Sequence, residues 1–484
     1  MKRKLLFILV PMLLVGCQKD SSEDDGNPNQ KSGVTNLETS RLGKSGGFFD
    51  VDADGKKDLI ITAPEAKTTG KNGVALVYLN YAENKSIDVD AILSGESNGD
   101  AFGFNFADIG DVNGDDKKDF AISALNATGD VAISGAVYVY QGGEFPPKLM
   151  AKINGENSFD KFGFSMTGSD VNGDGESDFI VTAPHTFHEE FQAGAVYVYF
   201  GGKNFDNKPD VIIKGDKVKA GIGMAITAGD VNGDAVADII MDGHSKVFIY
   251  YGGSDLASRI KNDPTPDVKI RSDSGAHGGS GFGYSLAYVG DLDNDGYGEV
   301  AVGNRRRSSP SLYDNAGSLY IFKGGENIPA EYFEDDENYR LVKIVGSGVD
   351  EAFANSIRVV GDVNEGGSVD IVVGARWADN GFDEKKLITG NVYLFHGEDL
   401  LTVEDASVDQ TVSLAHAVYS QEKSSAELGT FVAVDGKALV SGMPGSNKHD
   451  GGLLMTDLSE GGNVTVNSSP KVITVTQTPT EHQH

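Results

Sequence analysis

Aspartate at alternate positions recurs at an almost fixed period, and no other feature of this chain restricts its fold so far. The stretches begin at Asp50, Asp111, Asp170, Asp230, Asp291 and Asp362, in steps of 61, 59, 60, 61 and 71 residues. A seventh unit, Leu428 to Gly445, keeps the flanking pattern and lacks the acidic loop. Each unit opens on an apolar residue followed by a small one: Leu42-Gly43, Phe102-Gly103, Phe162-Gly163, Ile222-Gly223, Phe282-Gly283, Phe353-Ala354 and Leu428-Gly429. The acidic loop comes next, then a short apolar run. A strand of aromatic alternation follows, as in GAVYVYQGG from Gly135 and GSLYIFKGG from Gly317. That grammar predicts about four short strands per unit and no helical period. One such sheet cannot bury both faces alone, whereas seven around an axis can, and closing the ring protects the edges. Linear β-solenoids use far shorter coils. The expected fold is therefore all-β, a seven-bladed β-propeller.

The Phe-Gly opening, the aspartate loop and the Ala-Pro after the apolar run (Ala63-Pro64, Ala183-Pro184) resemble the FG-GAP repeat, the blade of the integrin α-subunit propeller. The resemblance covers roughly residues 34–470. It implies a propeller over 33–476, with ligands bound on an upper face and the aspartate loops on the lower one. A terminal strand, from residues 33–39 or from Lys471–Thr476, is expected to close the ring.

Numbered from the first aspartate, loop positions 1, 3, 5 and 9 carry oxygen side chains, and position 7 can offer its backbone carbonyl. The sets are Asp50, Asp52, Asp54, Lys56 and Asp58; Asp111, Asn113, Asp115, Lys117 and Asp119; Asp170, Asn172, Asp174, Glu176 and Asp178; Asp230, Asn232, Asp234, Val236 and Asp238; and Asp291, Asp293, Asp295, Tyr297 and Glu299. Crowded hard oxygen ligands suit Ca²⁺. Position 12, the bidentate glutamate of an EF-hand, is apolar here (Ile61, Ile122, Val181, Met241, Val302), so that role falls to position 9. Position 6 calls for a left-handed backbone, which Gly55, Gly175 and Gly296 supply; Asp116 and Ala235 do so less readily. Gly366 replaces a carboxylate in the sixth loop. Four to five structural calcium ions are expected, with weak or no binding in the sixth loop.

The chain opens on Lys2, Arg3 and Lys4 and an apolar run from Leu5 to Val15, too short for a good membrane span and typical of a secretory signal. Leu14-Val15-Gly16-Cys17 resembles a bacterial lipobox, which implies removal of residues 1–16 and acylation of Cys17, the chain's one cysteine. Residues 17–32 then form an acidic tether, and 477–484 a tail. An envelope lipoprotein of the outer membrane is expected, periplasmic or surface-exposed. A net charge of −31 argues against nucleic-acid partners.

Binding residues concentrate on loops carried by a rigid scaffold. The loop Gly303–Gly317 holds Arg305, Arg306, Arg307 and Tyr313, and the loop Ala375–Gly390 holds Arg376 and Trp377. Guanidinium and indole groups suit a protein or glycan partner. His185 and His188 lie on a loop and lack the helix of a zinc-protease motif. No nucleophile elbow or phosphate loop is present in the sequence. The chain reads as a monomeric, non-catalytic, adhesion-like binding module. The alternatives are a propeller enzyme acting on polysaccharide, with its site at the ring axis, and a structural envelope component.

Overall fold

A computed structural model describes residues 40–466, apart from 69–70, 85, 87, 130, 187–191, 216–220, 244, 273–280, 306–314, 347–349, 379–388, 403–413, 422–426, 446–450 and 459–461. Seven sheets follow one another along the chain, antiparallel except where Glu331–Phe333 and Gly462–Val466 each add a parallel fifth strand, to blades 4 and 6. Blade 1 comprises Gly46–Phe49, Asp58–Thr68, Lys71–Tyr78 and Ala91–Ser94, each strand paired with the next. Blades 2 to 6 repeat this order, beginning at Phe102, Met166, Ile226, Phe282 and Ser356. Blade 7 has three described strands, Val432–Asp435, Ala438–Gly442 and Leu453–Asp457. The second and third strands are buried along nearly their whole length, because each faces a neighbouring blade on both sides.

The core is divided into seven clusters, one between each pair of adjacent blades. Between blades 2 and 3, for example, Val137, Val139 and Ile153 meet Phe179, Val181 and Tyr197. The ring closes in the same way. Leu59, Ile61 and Leu76 of blade 1 pack with Phe431, Val440 and Leu453 of blade 7.

The Phe-Gly pair explains how one blade seats on the next. Phe102, Phe162, Phe282 and Phe353 pack edge-on against Tyr138, Tyr197, Tyr320 and Tyr393 of their own third strands, with ring centroids 5.1 to 5.7 Å apart. The backbone of Phe162 meanwhile lies against Gly135 of the preceding blade, where a Cβ would sit 2.4 Å from the Phe162 carbonyl. Gly135 also has φ +86°, so glycine is required there twice over. The contact recurs at every interface but that between blades 4 and 5, where Ser245 (φ 68°) takes the glycine's place, and its last member is Leu42 against Gly451.

The segments expected to close the ring, 33–39 and Lys471–Thr476, lie outside the described residues. A different terminal strand, Gly462–Val466, pairs in parallel with the outer strand of blade 6, Ala417–Gln421. Blade 7's missing acidic loop is replaced by two residues, Gly436-Lys437, since Asp435 pairs directly with Ala438.

Candidate functional site

The acidic loops join first to second strands at one end of the ring. In each, the position-1 aspartate gathers the amides that follow it: Asp170 accepts from the N–H groups of Gly173, Asp174 and Gly175 at 2.7 to 3.2 Å. This winding needs φ above zero at position 6, as at Gly55, Gly175 and Gly296, and the same conformation is held by Asp116 (φ 63°) and Ala235 (φ 67°). Position 4 is left-handed too (Ala53, Gly114, Gly173, Gly233, Asn294), which alternation of aspartates did not reveal.

The position-9 carboxylate is the centre of the loop and is fully buried in all five loops. Oδ2 of Asp178 accepts the Val171 N–H at 2.8 Å and Oδ1 the Gly201 N–H at 2.9 Å. The same two bonds recur at Asp58, Asp119, Asp238, Glu299 and Asp370. Burial pushes these carboxyl groups up, to about 6 at Asp58 and Asp119 and about 7 at Asp178, Asp238 and Glu299. Neighbouring loop carboxylates push the same way, and the two amide donors only partly offset this. In two loops, Asp50-Asp52-Asp58 and Asp291-Asp293-Asp295, three carboxylates bring oxygens within 4.8 Å of one another.

The Gly-Gly pairs that end the third strands, legible in the sequence only as turns, serve this loop. The first glycine donates to its own blade's position-9 carboxylate, as Gly201 does. The second donates to the preceding blade: Gly143 to the Val51 carbonyl at 2.8 Å, Gly202 to Val112 at 3.1 Å, Gly253 to Val171 at 2.9 Å and Gly325 to Val231 at 2.8 Å. Residue 2 of a loop therefore gives its N–H to its own blade and its carbonyl to the next. Position 8 adds a second link at two interfaces, Ser177 to the Asp111 carbonyl and Ala237 to that of Asp170.

The sixth loop differs. Gly366 stands where a carboxylate would be, and the buried His396 places Nδ1 3.2 Å from Asp370 Oδ1.

Along the length of the first strands, an axial cavity of about 630 Å³ is lined by all seven blades. The residue after each Phe-Gly pair faces it: Lys44, Phe104, Phe164, Met224, Tyr284, Asn355 and Thr430. Arg358 and Arg376 also line it, and Asp108 is its one acidic residue. Arg305 places its guanidinium 3.6 Å from the Tyr284 ring centroid, and Arg376 lies 5.0 Å from that of the half-buried Trp377. Arg376 also pairs with Glu427 at 3.5 Å. Two of the expected partner-binding residues, Arg305 and Arg376, thus approach the axis. Cys17, His188, Arg306, Arg307 and Tyr313 lie outside the described residues.

These blades have recognisable relatives. The FG-GAP-like repeat matches residues 170–241 and the FG-GAP repeat residues 282–322. The chain is a propeller of FG-GAP repeats. Mouse integrin alpha-7 is 38% identical over 190 residues, 38% of this chain and 15% of that protein. Drosophila melanogaster integrin alpha-PS3 is 30% identical over 168 residues, 33% of this chain and 15% of its own length. Xenopus laevis integrin alpha-4 is 26% identical over 53% of this chain and 24% of its own. This FG-GAP propeller therefore spans a quarter or less of the integrin chains it matches. Among solved structures, a chain from the crystal structure of BBS1N in complex with ARL6DN, soaked with lead, matches 89% of this chain and 95% of its own, at 9% identity and TM-score 0.46.

Proposed function

We propose that this FG-GAP propeller is a calcium-stabilised, lipid-anchored surface protein that recognises a partner through the face opposite its aspartate loops. The observation that carries this reading is the division of labour between the two ends of the ring. One end holds buried carboxylates in closed loops. At the other, arginines and aromatic rings gather around the axial cavity, which runs the length of the first strands.

The donor set fits calcium. Asp50, Asp52, Asp54 and Asp58, with the Lys56 carbonyl, would hold one ion, and the loops at Asp111, Asp170, Asp230 and Asp291 the others. Calcium accepts six to eight oxygen ligands at flexible angles. A cation offsets the burial, and the lesser repulsion between neighbouring carboxylates, that raise the position-9 groups, and it stabilises the folded state by mass action. The role is structural, because the position-9 group is buried against two backbone amides and away from any opening. Acylation of Cys17 would tether the ring to the outer membrane.

Adhesion-like recognition is favoured over catalysis by the axial lining. Its one carboxylate among the described residues, Asp108, leaves no second acid for the paired arrangement of a glycosidase.

The test is capture of a partner by the immobilised full-length chain from envelope extracts, matrix proteins and arrayed glycans, with calcium and with chelator. Calcium-dependent capture that falls on Trp377→Ala is the expected result. A folded, calcium-loaded chain that captures nothing would overturn the reading.

A further inference from the structure

One position of the repeat, midway along each first strand, lines the axis in every blade. In six blades the residue there is small: Gly47, Ala107, Thr167, Thr227, Ala287 and Ala433. In blade 6 it is Arg358. Six short side chains leave room on the axis for one long one. Arg358 is exposed, and the space it is exposed to is the cavity. Protein surrounds it, so burial pushes its guanidinium down from the ordinary value, and an arginine still keeps its proton at neutral pH.

That charge is unmatched. Among the described residues no carboxylate lies within ion-pair distance of Arg358. Its hydrogen bond to the Ile357 carbonyl, at 3.0 Å, uses one N–H and leaves the rest of the fork unused. The other charges of the cavity are engaged elsewhere. Asp108, its one acidic residue, lies 3.4 Å from Lys118 and accepts the Gly110 N–H. Arg376 pairs with Glu427, and Lys44 sits over the Phe104 ring nearer the Phe-Gly end. None of them bears on Arg358, whose shift has burial as its sole cause. A charge withdrawn from bulk water and left unpaired is costly. A lysine can shed its proton to escape that cost; an arginine needs a counter-ion.

Hydroxyl groups line the other side of the axis. Thr167 of blade 3 stands across the ring from blade 6, with Thr227 beside it in blade 4, both half-buried on the cavity wall. Thr227 Oγ1 accepts the Tyr288 N–H at 3.3 Å, which leaves its own O–H to donate.

We infer that the axial cavity binds a tetrahedral oxyanion, sulfate or phosphate, between Arg358 and the hydroxyls of Thr167 and Thr227. The guanidinium fork takes two oxygens side by side. A carboxylate has no further oxygen to turn toward the opposite wall, and a halide matches no fork. A tetrahedral anion serves both sides. The volume of about 630 Å³ lies within the roughly 300–1,000 Å³ usual for small-ligand sites, so it admits the free ion or one carried as an ester on a single sugar. This site goes beyond partner recognition and stands without it.

The experiment is calorimetric titration of the calcium-loaded, full-length chain in chloride buffer with sodium sulfate, glucose 6-sulfate and sodium acetate. Sulfate should bind once per chain, and acetate about tenfold more weakly or worse. Arg358→Gln should weaken sulfate about tenfold or more, as for loss of a charge-assisted fork. Arg358→Lys keeps the charge without the fork and should fall between. Lys44→Met removes the cavity's other unpaired cation and should stay within about twofold. Melting temperature in chloride shows which variants are folded. If Arg358→Gln does not fold, Thr167→Val should still weaken sulfate about fivefold, as for one neutral hydrogen bond. Glucose 6-sulfate as tight as sulfate assigns the site to an esterified sugar, and its exclusion assigns it to the free ion. No sulfate binding by the folded chain, acetate as tight as sulfate, a folded Arg358→Gln that binds normally, or an equal loss in Lys44→Met would each overturn the assignment.

Discussion

Blades 1 to 5 and blades 6 and 7 share one repeat, yet they are joined to their neighbours differently. At the first four interfaces the loop of one blade accepts a backbone hydrogen bond from the second glycine of the next, from Gly143, Gly202, Gly253 and Gly325. Among the described residues the other three interfaces have no such bond. Blade 6 has Glu398 at the matching place, and blade 7 has a two-residue turn instead of a loop. Side-chain packing persists at every interface, so the core clusters close the ring without help. What the acidic loops add is a polar joint between blades. If they hold calcium, as proposed, five blades depend on the ion and two do not.

The largest way to break this comparison is pH in the absence of metal. Asp58, Asp119, Asp178, Asp238 and Glu299 are raised in the folded chain above their unfolded values. The folded state then binds more protons than the unfolded one between about pH 4 and 7, so stability falls as pH rises through that window. In chelator the melting temperature should therefore climb as pH drops from 7.5 to 5.5. With saturating calcium the slope should flatten or reverse, because the ion favours the ionised form. The double variant Asp178→Asn/Asp238→Asn should shrink the slope in chelator. An identical slope with and without calcium would sever the loops from the metal.

Next comes the buried carboxylate itself. Asp178→Ala strands the amides of Val171 and Gly201, at about 1–3 kcal/mol each. Asp370→Ala strands Val363 and Gly397 in the same way. Both should lower stability in chelator by a similar amount, read from urea unfolding. Only Asp178→Ala should lose most of its calcium stabilisation at that site. Equal calcium effects would place a working ion in blade 6.

The smallest effect should come from the joint. Gly202 has φ +93°, and Gly202→Ala strains both that conformation and the bond to Val112, at about 1 kcal/mol or somewhat more. Glu398→Ala, at the corresponding site without a joint, should stay within about 0.5 kcal/mol. Hydrogen exchange at Val112 and its neighbours would localise the first change.

Blade number, strand order and the aspartate loops were legible in the sequence because each is a local pattern repeated in register. Repetition also exposed the shortened seventh unit. The interblade joint was not legible. Gly142-Gly143 looks like any strand-ending turn, and only three-dimensional adjacency shows that its two amides serve different blades. The axial lining was hidden for a similar reason. Lys44, Phe104, Tyr284 and Asn355 occupy one position of the repeat, yet their chemistry varies from blade to blade, and nothing in the alternation of a first strand says which residues meet across a ring. Arg305 and Arg376 stood out for their charge in an acidic chain; Arg358 did not, lying mid-strand among apolar residues.

The split allegiance of a loop's second residue bears on how such rings change in number. Val112 offers a plug to its own blade and a socket to the following one, and Gly202 brings the matching plug. A single gene segment encoding one blade therefore carries both halves of the fitting. Duplicating or deleting such a segment among blades 2 to 4 leaves every remaining fitting mated, so ring size can drift there by whole units without redesign of any seam.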